Sequence, residues 1–234
     1  MTIRAIVTDI EGTTTPIAFV HEVLFPYARA RLADFCAAHQ SEPAVATVLA
    51  AVREEAGDAS LTLDETVVVL FQWMDEDRKS GPLKTLQGMI WRLGYEEGVL
   101  KGQIYDDAAE VLSAWHVKGI VLYVYSSGSV AAQKLIFGFS DHGDLTRLFG
   151  GYFDTAIGAK VDVASYAAIA KSIGVAPADI LFLTDMEAEV VAARAAGLTV
   201  AKIDRSLPQE KTRHDGDLLV AGSFGPVDRL IVQA

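Results

Sequence analysis

Five short apolar segments along the chain predict buried β-strands. Their residues are mostly continuous rather than alternating in polarity, which is typical of a parallel sheet that is covered on both faces. The intervals between the last four segments are long enough for helical crossovers. The predicted strands are residues 3–8, 120–125, 153–157, 180–184 and 198–203.

Helical periodicity fills the intervals between these segments. Residues 106–117 place their apolar side chains on one face, and Gly119 follows as a stop signal. Further helices are predicted at 130–137, at 163–173 and from just after Asp185 to about 196. Strands that alternate with helices predict an α/β fold with a Rossmann-like parallel-sheet core.

A long helical stretch interrupts this alternation after the first strand. It contains helix-type patterns and no convincing strand, so the simplest interpretation is an inserted all-helical cap domain. Such an insertion is a candidate lid over the carboxyl ends of the strands. The tail from residue 204 onward is weakly patterned. The predicted domains are the core at residues 1–17 and 100–234, and the cap at 18–99, with helices near 24–38, 64–74 and 83–93.

Charge excludes several classes of function. The 234-residue chain carries a formal net charge of -11 and shows no cluster of Lys and Arg. Nucleic acid and membrane surfaces are therefore not expected as partners. A small phosphorylated substrate is compatible with this charge, because a few local donors and a bound cation can outweigh the global field.

Cysteine usage and hydropathy indicate the compartment. Cys36 is the only cysteine, so an intramolecular disulfide is impossible and a reducing compartment fits best. The longest apolar runs are far shorter than the ~18 residues that a membrane span needs. Asp9 and Glu11 fall where the apolar region of a signal peptide would have to lie. We therefore expect a cytoplasmic protein.

Polar residues follow the predicted strands at the edge of the sheet where ligands bind in open α/β folds. Because the carboxyl ends of parallel strands share one edge, we expect these side chains to converge. They are Asp9 and Glu11 after the first strand, Ser126 and Ser127 after the second, Lys160 in the loop past the third, and Asp185 after the fourth.

The acidic residues in this set suit the hydrolysis of a phosphate ester. Asp9 and Asp185 together can hold Mg²⁺, which usually pairs one or two carboxylates with waters and a substrate phosphate. Asp9 keeps its other oxygen for attack on phosphorus, which would give an aspartyl-phosphate. Glu11 can protonate the leaving oxygen and then act as a base on water.

The hydroxyls and the lysine suit phosphate binding. Ser126 and Ser127 precede a predicted helix whose N-terminal N–H groups can cradle a phosphate. Lys160 can bind phosphate oxygens and hold Asp9 ionised. Each residue also has a plain structural interpretation, since Asp is common in turns, Ser at helix starts and Lys on solvated surfaces. Four strand-end features in order favour the functional interpretation.

These motifs, in this order, resemble those of the haloacid dehalogenase-like hydrolases. The likeness spans nearly the whole chain, and three strings are similar to the enolase-phosphatase branch of that superfamily. The strings are Asp-Ile-Glu-Gly-Thr-Thr-Thr-Pro at 9–16, Leu-Gln-Gly-Met-Ile-Trp at 86–91 and Tyr-Ser-Ser-Gly-Ser-Val at 125–130.

The resemblance implies a substrate and a set of site positions. The substrate is 2,3-diketo-5-methylthiopentyl-1-phosphate, which is enolised and then dephosphorylated to 1,2-dihydroxy-3-keto-5-methylthiopentene in methionine salvage, by a monomer with one Mg²⁺. Glu11 would bind the metal through its backbone carbonyl. The implied positions are Asp9, Glu11 and Asp185 for the metal and Ser126, Ser127 and Lys160 for the substrate.

The chain departs from the usual superfamily pattern at two places. Glu11 stands where most members have a second Asp, and this Glu is a mark of the enolase-phosphatase branch. Met186 follows Asp185 where many relatives carry a second acid, so Glu187 or Glu189 could supply a supporting carboxylate. Glu189 is the better placed of the two, although an exposed carboxylate at the helix start is the more ordinary interpretation.

The sequence marks no residue as the base for enolisation. His21 and Glu22 lie close after the first motif and are candidates, although polar residues on a cap helix are the more ordinary interpretation. The metal and Lys160 could instead polarise the diketone.

Two other functions remain open from the sequence. One keeps the phosphatase chemistry but uses another small sugar or nucleotide phosphate as substrate. The other is a non-catalytic binding protein with the same fold, and loss of Asp9 or Asp185 would be its expected sign. Both residues are present, which favours an enzyme.

Overall fold

Seven strands form one sheet in residues 3–232, the part of the chain that this computed structural model describes. The spatial order is β3-β2-β1-β4-β5-β7-β6, and all neighbouring pairs are parallel except β6 with β7. The strands are β1 (Ala5–Thr8), β2 (Val121–Tyr125), β3 (Phe149–Phe153), β4 (Ile180–Thr184), β5 (Thr199–Ile203), β6 (Thr212–Asp215) and β7 (Leu218–Ala221).

The described residues 3–232 contain nine α-helices. None of the helices in residues 3–232 is long and apolar enough to cross a membrane. In chain order they are α1 (Phe25–His39), α2 (Pro43–Ala56), α3 (Leu63–Asp75), α4 (Gly81–Glu96), α5 (Asp106–Val117), α6 (Val130–Gly138), α7 (Val163–Ile173), α8 (Glu187–Ala195) and α9 (Phe224–Val232).

The described residues divide into two compact units. One comprises residues 3–17 and 101–232 and contains the whole sheet with α5 to α9. The other is Ala18–Leu100 and contains α1 to α4, preceded by a short π-helix at Phe19–Leu24. Within the sheet unit, β1 is fully buried and lies between β2 and β4.

Local signals in the sequence set the helices of the second unit. Thr62 and Glu65 form a reciprocal capping box at the start of α3, and the Ser80 side chain caps α4. The apolar faces of α1 to α4 then pack on one another. Their shared core is Ala28, Leu32, Phe35, Cys36, Val45, Leu49, Val52, Val67, Leu70, Trp73, Leu83, Leu86 and Ile90.

The predicted α/β fold class is confirmed, and two helices, 106–117 and 163–173, have the predicted bounds. One predicted strand is wrong. The third strand is Phe149–Phe153, not 153–157. Asp154 instead begins a turn, because its Oδ1 accepts the N–H of Ala156 at 2.9 Å.

Two glycines explain why the sequence pattern does not predict this strand. Gly150 and Gly151 lie in β3, although glycine is depleted in strands. The ring of Tyr123 on β2 covers Gly151, where an added Cβ would meet its Cδ1 at 3.2 Å. The Tyr123 ring therefore fills the space that a side chain at Gly151 would otherwise occupy.

The C-terminal tail also contributes to the sheet, which the sequence did not predict. Strands β6 and β7 form a hairpin, and β7 adds to β5 in parallel. Every residue of β6 is exposed, so its sequence carries no apolar alternation. The sheet is therefore mixed, with an antiparallel edge strand, rather than purely parallel.

Candidate active site

Asp9 lies at the carboxyl end of the central strand β1, where the following turn holds it rigidly. Its side chain is 6% exposed, and its N–H donates to the carbonyl of Leu183 on β4 at 2.9 Å. The carbonyl of Ile10 accepts the N–H groups of residues 13, 14 and 15 at 3.2, 2.9 and 2.9 Å. The Thr14 hydroxyl donates to the Asp9 carbonyl at 3.2 Å. These bonds within the turn and to β4 hold the Asp9 backbone in place.

The strand order places a second acid beside Asp9. Chain order runs outward from β1 to β3 on one side and from β4 to β5 on the other, so β1 and β4 flank the point where the topology reverses. Ligands bind at such a switch point in open α/β sheets. Asp9 ends β1 and Asp185 follows β4.

Asp185 has an oxygen that is suited to a cation. Its Oδ1 is buried and accepts no hydrogen bond from any of residues 3–232. Burial, and then the negative charge of Asp9, raise the pKa of the Asp185 carboxyl. An unpaired buried carboxylate oxygen beside a second carboxylate is costly unless a positive charge joins it.

The turn after β1 approaches Asp185 closely. A Cβ added to Gly12 would lie 2.3 Å from Oδ2 of Asp185, and Gly12 has φ +71°. Glu11 precedes this glycine, is half-buried and pairs as an isolated parallel bridge with Thr15. The backbone of Glu11 and Gly12 is therefore next to the two carboxylates.

The donor set fits a hard cation such as Mg²⁺, which takes oxygen ligands. No group of three or more His, Cys, Asp or Glu side chains in the described part of the chain is arranged to hold a metal. Asp9 and Asp185 would therefore need other oxygens, such as a backbone carbonyl, to complete a site.

Lys160 reaches into the same place from the loop after β3. Its Nζ lies 2.5 Å from Oδ1 of Asp9 and 2.9 Å from Oε1 of Glu189, and its side chain is 9% exposed. Burial lowers the pKa of the Lys160 ammonium, but the charges of Asp9 and Glu189 outweigh it and the pKa is raised overall. The lysine is therefore held protonated between two acids.

The loop that carries Lys160 is anchored by two tyrosines. The Tyr166 hydroxyl donates to the carbonyl of Lys160 at 2.6 Å, and the Tyr125 hydroxyl donates to the carbonyl of Gly158 at 2.9 Å. Both tyrosines belong to the buried core of the sheet unit. The position of the ammonium is therefore fixed by packed elements.

Glu189 is buried, contrary to the interpretation of an exposed carboxylate at the helix start. It lies on α8 and is 7% exposed, and its Oε2 accepts the Thr184 hydroxyl at 2.6 Å. Burial raises the pKa of Glu189, Asp9 raises it further, and Lys160 opposes both. Glu187 is exposed and pairs with Lys202 at 2.7 Å instead.

The serines lie at the end of β2. Ser126 is buried and its Oγ accepts the N–H of Gly128 at 3.2 Å, whereas Ser127 is exposed. Ser129 caps α6 by accepting the N–H of Ala132 at 3.2 Å. The loop therefore combines a helix N-terminus with an exposed hydroxyl at Ser127, and both features suit a phosphate cradle.

A buried glutamine supports this loop and was missed from the sequence. Gln133 is fully buried, and its Nε2 donates to the carbonyls of Gly128 at 2.7 Å and Phe153 at 2.8 Å. A polar residue on the inner face of an otherwise apolar helix is the signal that could have identified it. A second omission is Arg205, which follows β5 at the same edge of the sheet.

The two candidates for the enolisation base lie in the helical unit. His21 and Glu22 are exposed on the π-helix, and the ring of His21 packs against Phe25 with centroids 5.9 Å apart. Short π-helical segments are frequent at functional sites. A role of His21 or Glu22 as the enolisation base stays a prediction.

Comparisons with known proteins found a matching family model and similar proteins. A family model described as haloacid dehalogenase-like hydrolase matches residues 3–197. A protein named enolase-phosphatase E1 from Parvibaculum lavamentivorans is 62% identical, over 98% of this chain and 96% of that protein. Another protein of that name, from Pseudomonas aeruginosa, is 55% identical over 88% of this chain and 91% of its own length.

A solved structure shares the fold over nearly the full length. The UTR4 protein of Saccharomyces cerevisiae is 30% identical and aligns with a TM-score of 0.80. The alignment covers 96% of this chain and 99% of the yeast chain.

Proposed function

Because the chain belongs to the haloacid dehalogenase-like hydrolases and to their enolase-phosphatase branch, we propose that it is a Mg²⁺-dependent enolase-phosphatase. It is a phosphatase that acts on a small phosphorylated substrate. The reaction enolises 2,3-diketo-5-methylthiopentyl-1-phosphate and releases phosphate to give 1,2-dihydroxy-3-keto-5-methylthiopentene, a step of methionine salvage.

One observation carries the chemical part of this proposal. Asp9, a buried carboxylate at the end of the central strand, lies 2.5 Å from the ammonium of Lys160. Its charge also raises the pKa of the carboxyl of Asp185, whose buried Oδ1 has no hydrogen-bond donor among residues 3–232. A nucleophilic carboxylate, a fixed positive charge and an oxygen open to a cation are what transfer of a phosphoryl group to a carboxylate needs.

In the first step, a carboxylate oxygen of Asp9 forms a bond to phosphorus. The bond between phosphorus and the ester oxygen breaks, and Glu11 gives its proton to the departing oxygen. Lys160 stabilises the charge that develops on the phosphoryl oxygens, and Ser126 and Ser127 orient the group.

In the second step, Glu11 takes a proton from water as the water oxygen attacks the phosphorus of the aspartyl-phosphate. The bond between phosphorus and the Asp9 oxygen breaks, which releases inorganic phosphate and restores the carboxylate. General acid–base assistance of this kind contributes about 10²–10⁴-fold to a rate.

The side chains of Asp9 and Asp185 and the backbone carbonyl of Glu11 would hold one Mg²⁺. Bound there, the ion neutralises the repulsion between the attacking carboxylate and the anionic phosphate. The unpaired oxygen of Asp185 and the general use of Mg²⁺ by this class of phosphatase support this assignment.

We further propose that the helical stretch, residues 18–99 by the sequence analysis, serves as the cap of a core formed by 1–17 and 100–234. We also propose that the enzyme is a cytoplasmic monomer. The separation of Ala18–Leu100 as a compact unit supports the cap assignment. The single buried cysteine supports a reducing compartment.

A substrate panel tests the proposed activity. The purified chain is incubated with the diketo phosphate, with several sugar phosphates and with nucleoside monophosphates, each with Mg²⁺ and with excess chelator. We expect Mg²⁺-dependent phosphate release and enediol absorbance from the diketo phosphate at the highest kcat/KM. A panel led by a sugar or nucleotide phosphate would contradict the proposal.

A further inference from the structure

Arg205 lies just beyond β5 and carries one of the most densely bonded side chains of the sheet unit. Its side chain is 14% exposed. Its Nε and Nη2 both donate to the carbonyl of Thr13, at 3.1 and 2.5 Å, and Nη1 donates to both carboxylate oxygens of Asp107, at 2.8 and 2.9 Å. All three guanidinium nitrogens therefore donate hydrogen bonds, and together they bond two different partners.

Aromatic rings and a helix start hold this guanidinium in place. Its carbon lies 3.9 Å from the ring centroid of Tyr105 and 5.5 Å from that of Phe224. Asp107, in the first turn of α5, also accepts the N–H of Phe224 at 2.8 Å. Arg205 therefore joins the end of β5 to the starts of α5 and α9.

The other end of this network is the turn that follows Asp9. Arg205 bonds the carbonyl of Thr13, and the N–H of Tyr105 donates to the carbonyl of Thr14 at 2.9 Å. Two successive carbonyls of the turn are therefore tied to the same rigid corner. No other side-chain donor to the Thr13 carbonyl occurs among residues 3–232.

The turn also packs closely against Asp185 at Gly12. Gly12 precedes Thr13, and a Cβ there would overlap Oδ2 of Asp185 at 2.3 Å. Glu11, whose backbone carbonyl is proposed for the metal, is the residue before that glycine. A displacement of the Thr13 carbonyl would therefore move the Glu11 and Gly12 peptides relative to Asp185.

We propose that Arg205 is a positioning residue that fixes the Glu11–Thr14 turn against Asp185 and thereby sets the affinity for the divalent cation. It acts through the Thr13 carbonyl and contacts neither the phosphate nor the reacting atoms. The identity of the cation as Mg²⁺ rests on the proposed function, whereas the contacts of Arg205 are independent of it.

The chemistry of the side chain explains why arginine occupies this position. The planar guanidinium presents donors in a fixed fork, so it can bond a carbonyl on one edge and a carboxylate on the other while its face lies on an aromatic ring. A lysine ammonium is a point charge that cannot keep both sets of bonds and the stacking. Arg205→Lys therefore preserves the charge and removes the geometry.

Mg²⁺ binding to the full-length chain, measured by calorimetry, tests the proposal. We expect Arg205→Lys to raise the Kd for Mg²⁺ by about 10–100-fold, as loss of partners that orient ligands does at other metal sites. Phosphate release at low Mg²⁺ falls in parallel, and excess Mg²⁺ restores it. The matched control is Arg213→Lys, which alters the 3.5 Å ion pair of an exposed arginine with half-buried Asp204 and keeps the wild-type Kd.

A merely structural role makes a different prediction. In that case Arg205→Lys lowers the melting temperature, and the folded protein keeps the wild-type Kd for Mg²⁺, which overturns the proposal. If Arg205→Lys does not fold, the same calorimetry is done on Asp107→Asn. This variant keeps the size of the side chain and weakens the hydrogen bonds between residue 107 and the Arg205 guanidinium. A wild-type chain that binds Mg²⁺ but releases no phosphate contradicts the proposed function and leaves this comparison intact.

Discussion

Lys160 bonds Asp9 across 151 positions of sequence, with Nζ 2.5 Å from Oδ1. Both side chains are nearly inaccessible to solvent, and the ammonium also contacts Glu189 at 2.9 Å. In a buried cluster of this kind each charge depends on the others, because removal of one leaves the remainder unpaired. This dependence makes the cluster testable by single substitutions.

Lys160→Met should abolish most of the activity and also destabilise the fold. The transition state loses a fixed positive charge, a loss of about 10²–10³-fold in kcat for comparable groups. The carboxylates of Asp9 and Glu189 lose their shared partner as well. Phosphate release and the free energy of unfolding measure the two effects.

Lys79→Met is the matched control for this substitution, because that lysine is 73% exposed and pairs with Asp77 on the surface. It should leave both quantities near their wild-type values. A Lys160→Met variant with wild-type kcat would exclude the lysine from the reaction.

Glu189→Gln should lower kcat by about 10-fold or more through misplacement of Lys160. The amide can keep a hydrogen bond with Thr184 but supplies no charge to the ammonium, which then has Asp9 as its sole anionic partner within the cluster. Glu187→Gln offers a comparison two residues away, since Glu187 is exposed and pairs with Lys202. Equal kcat values for the two variants would show that the buried carboxylate has no special role.

Gly12→Ala should remove Mg²⁺-dependent turnover. The new Cβ would lie 2.3 Å from Oδ2 of Asp185, so the turn or the carboxylate has to move. Gly119→Ala separates this overlap from backbone strain, because Gly119 has a similar φ of +80° but open space around it.

The Gly119→Ala variant should lose about 1–2 kcal/mol of stability and keep its activity. Mg²⁺ calorimetry and phosphate release on both variants give the comparison. Full activity in Gly12→Ala would mean that the close approach to Asp185 is not needed for the reaction.

The strand ends could be predicted from the sequence because apolar runs of this length identify buried strands directly. The residues at the ends of β1 and β4 were predicted for the same reason, since chain order and the parallel-sheet rule put Asp9 and Asp185 together. The prediction of β3 is wrong because its two glycines carry no apolar signal. Tyr123 supplies the packing there from the neighbouring strand.

The sequence names Glu189 as a candidate supporting carboxylate but not its burial, and it does not identify Arg205 at all, because Lys160 and Thr13 lie far from them along the chain. Glu189 is buried by contacts with Lys160 and Thr184, so its position on α8 gives no indication of which face is solvated. Arg205 bonds Thr13, 192 positions away, and lies in a tail whose strand β6 is wholly exposed. Pairings of this range depend on the assembled sheet, not on any local pattern.

Asp9→Asn tests most directly whether Asp9 is the nucleophile. The amide keeps the shape of the side chain but cannot form the aspartyl-phosphate. The measurement follows phosphate and enediol together when wild type and variant are mixed with the diketo phosphate and Mg²⁺. We predict that the variant releases no phosphate above background, whereas undiminished phosphate release by Asp9→Asn would exclude Asp9 as the nucleophile.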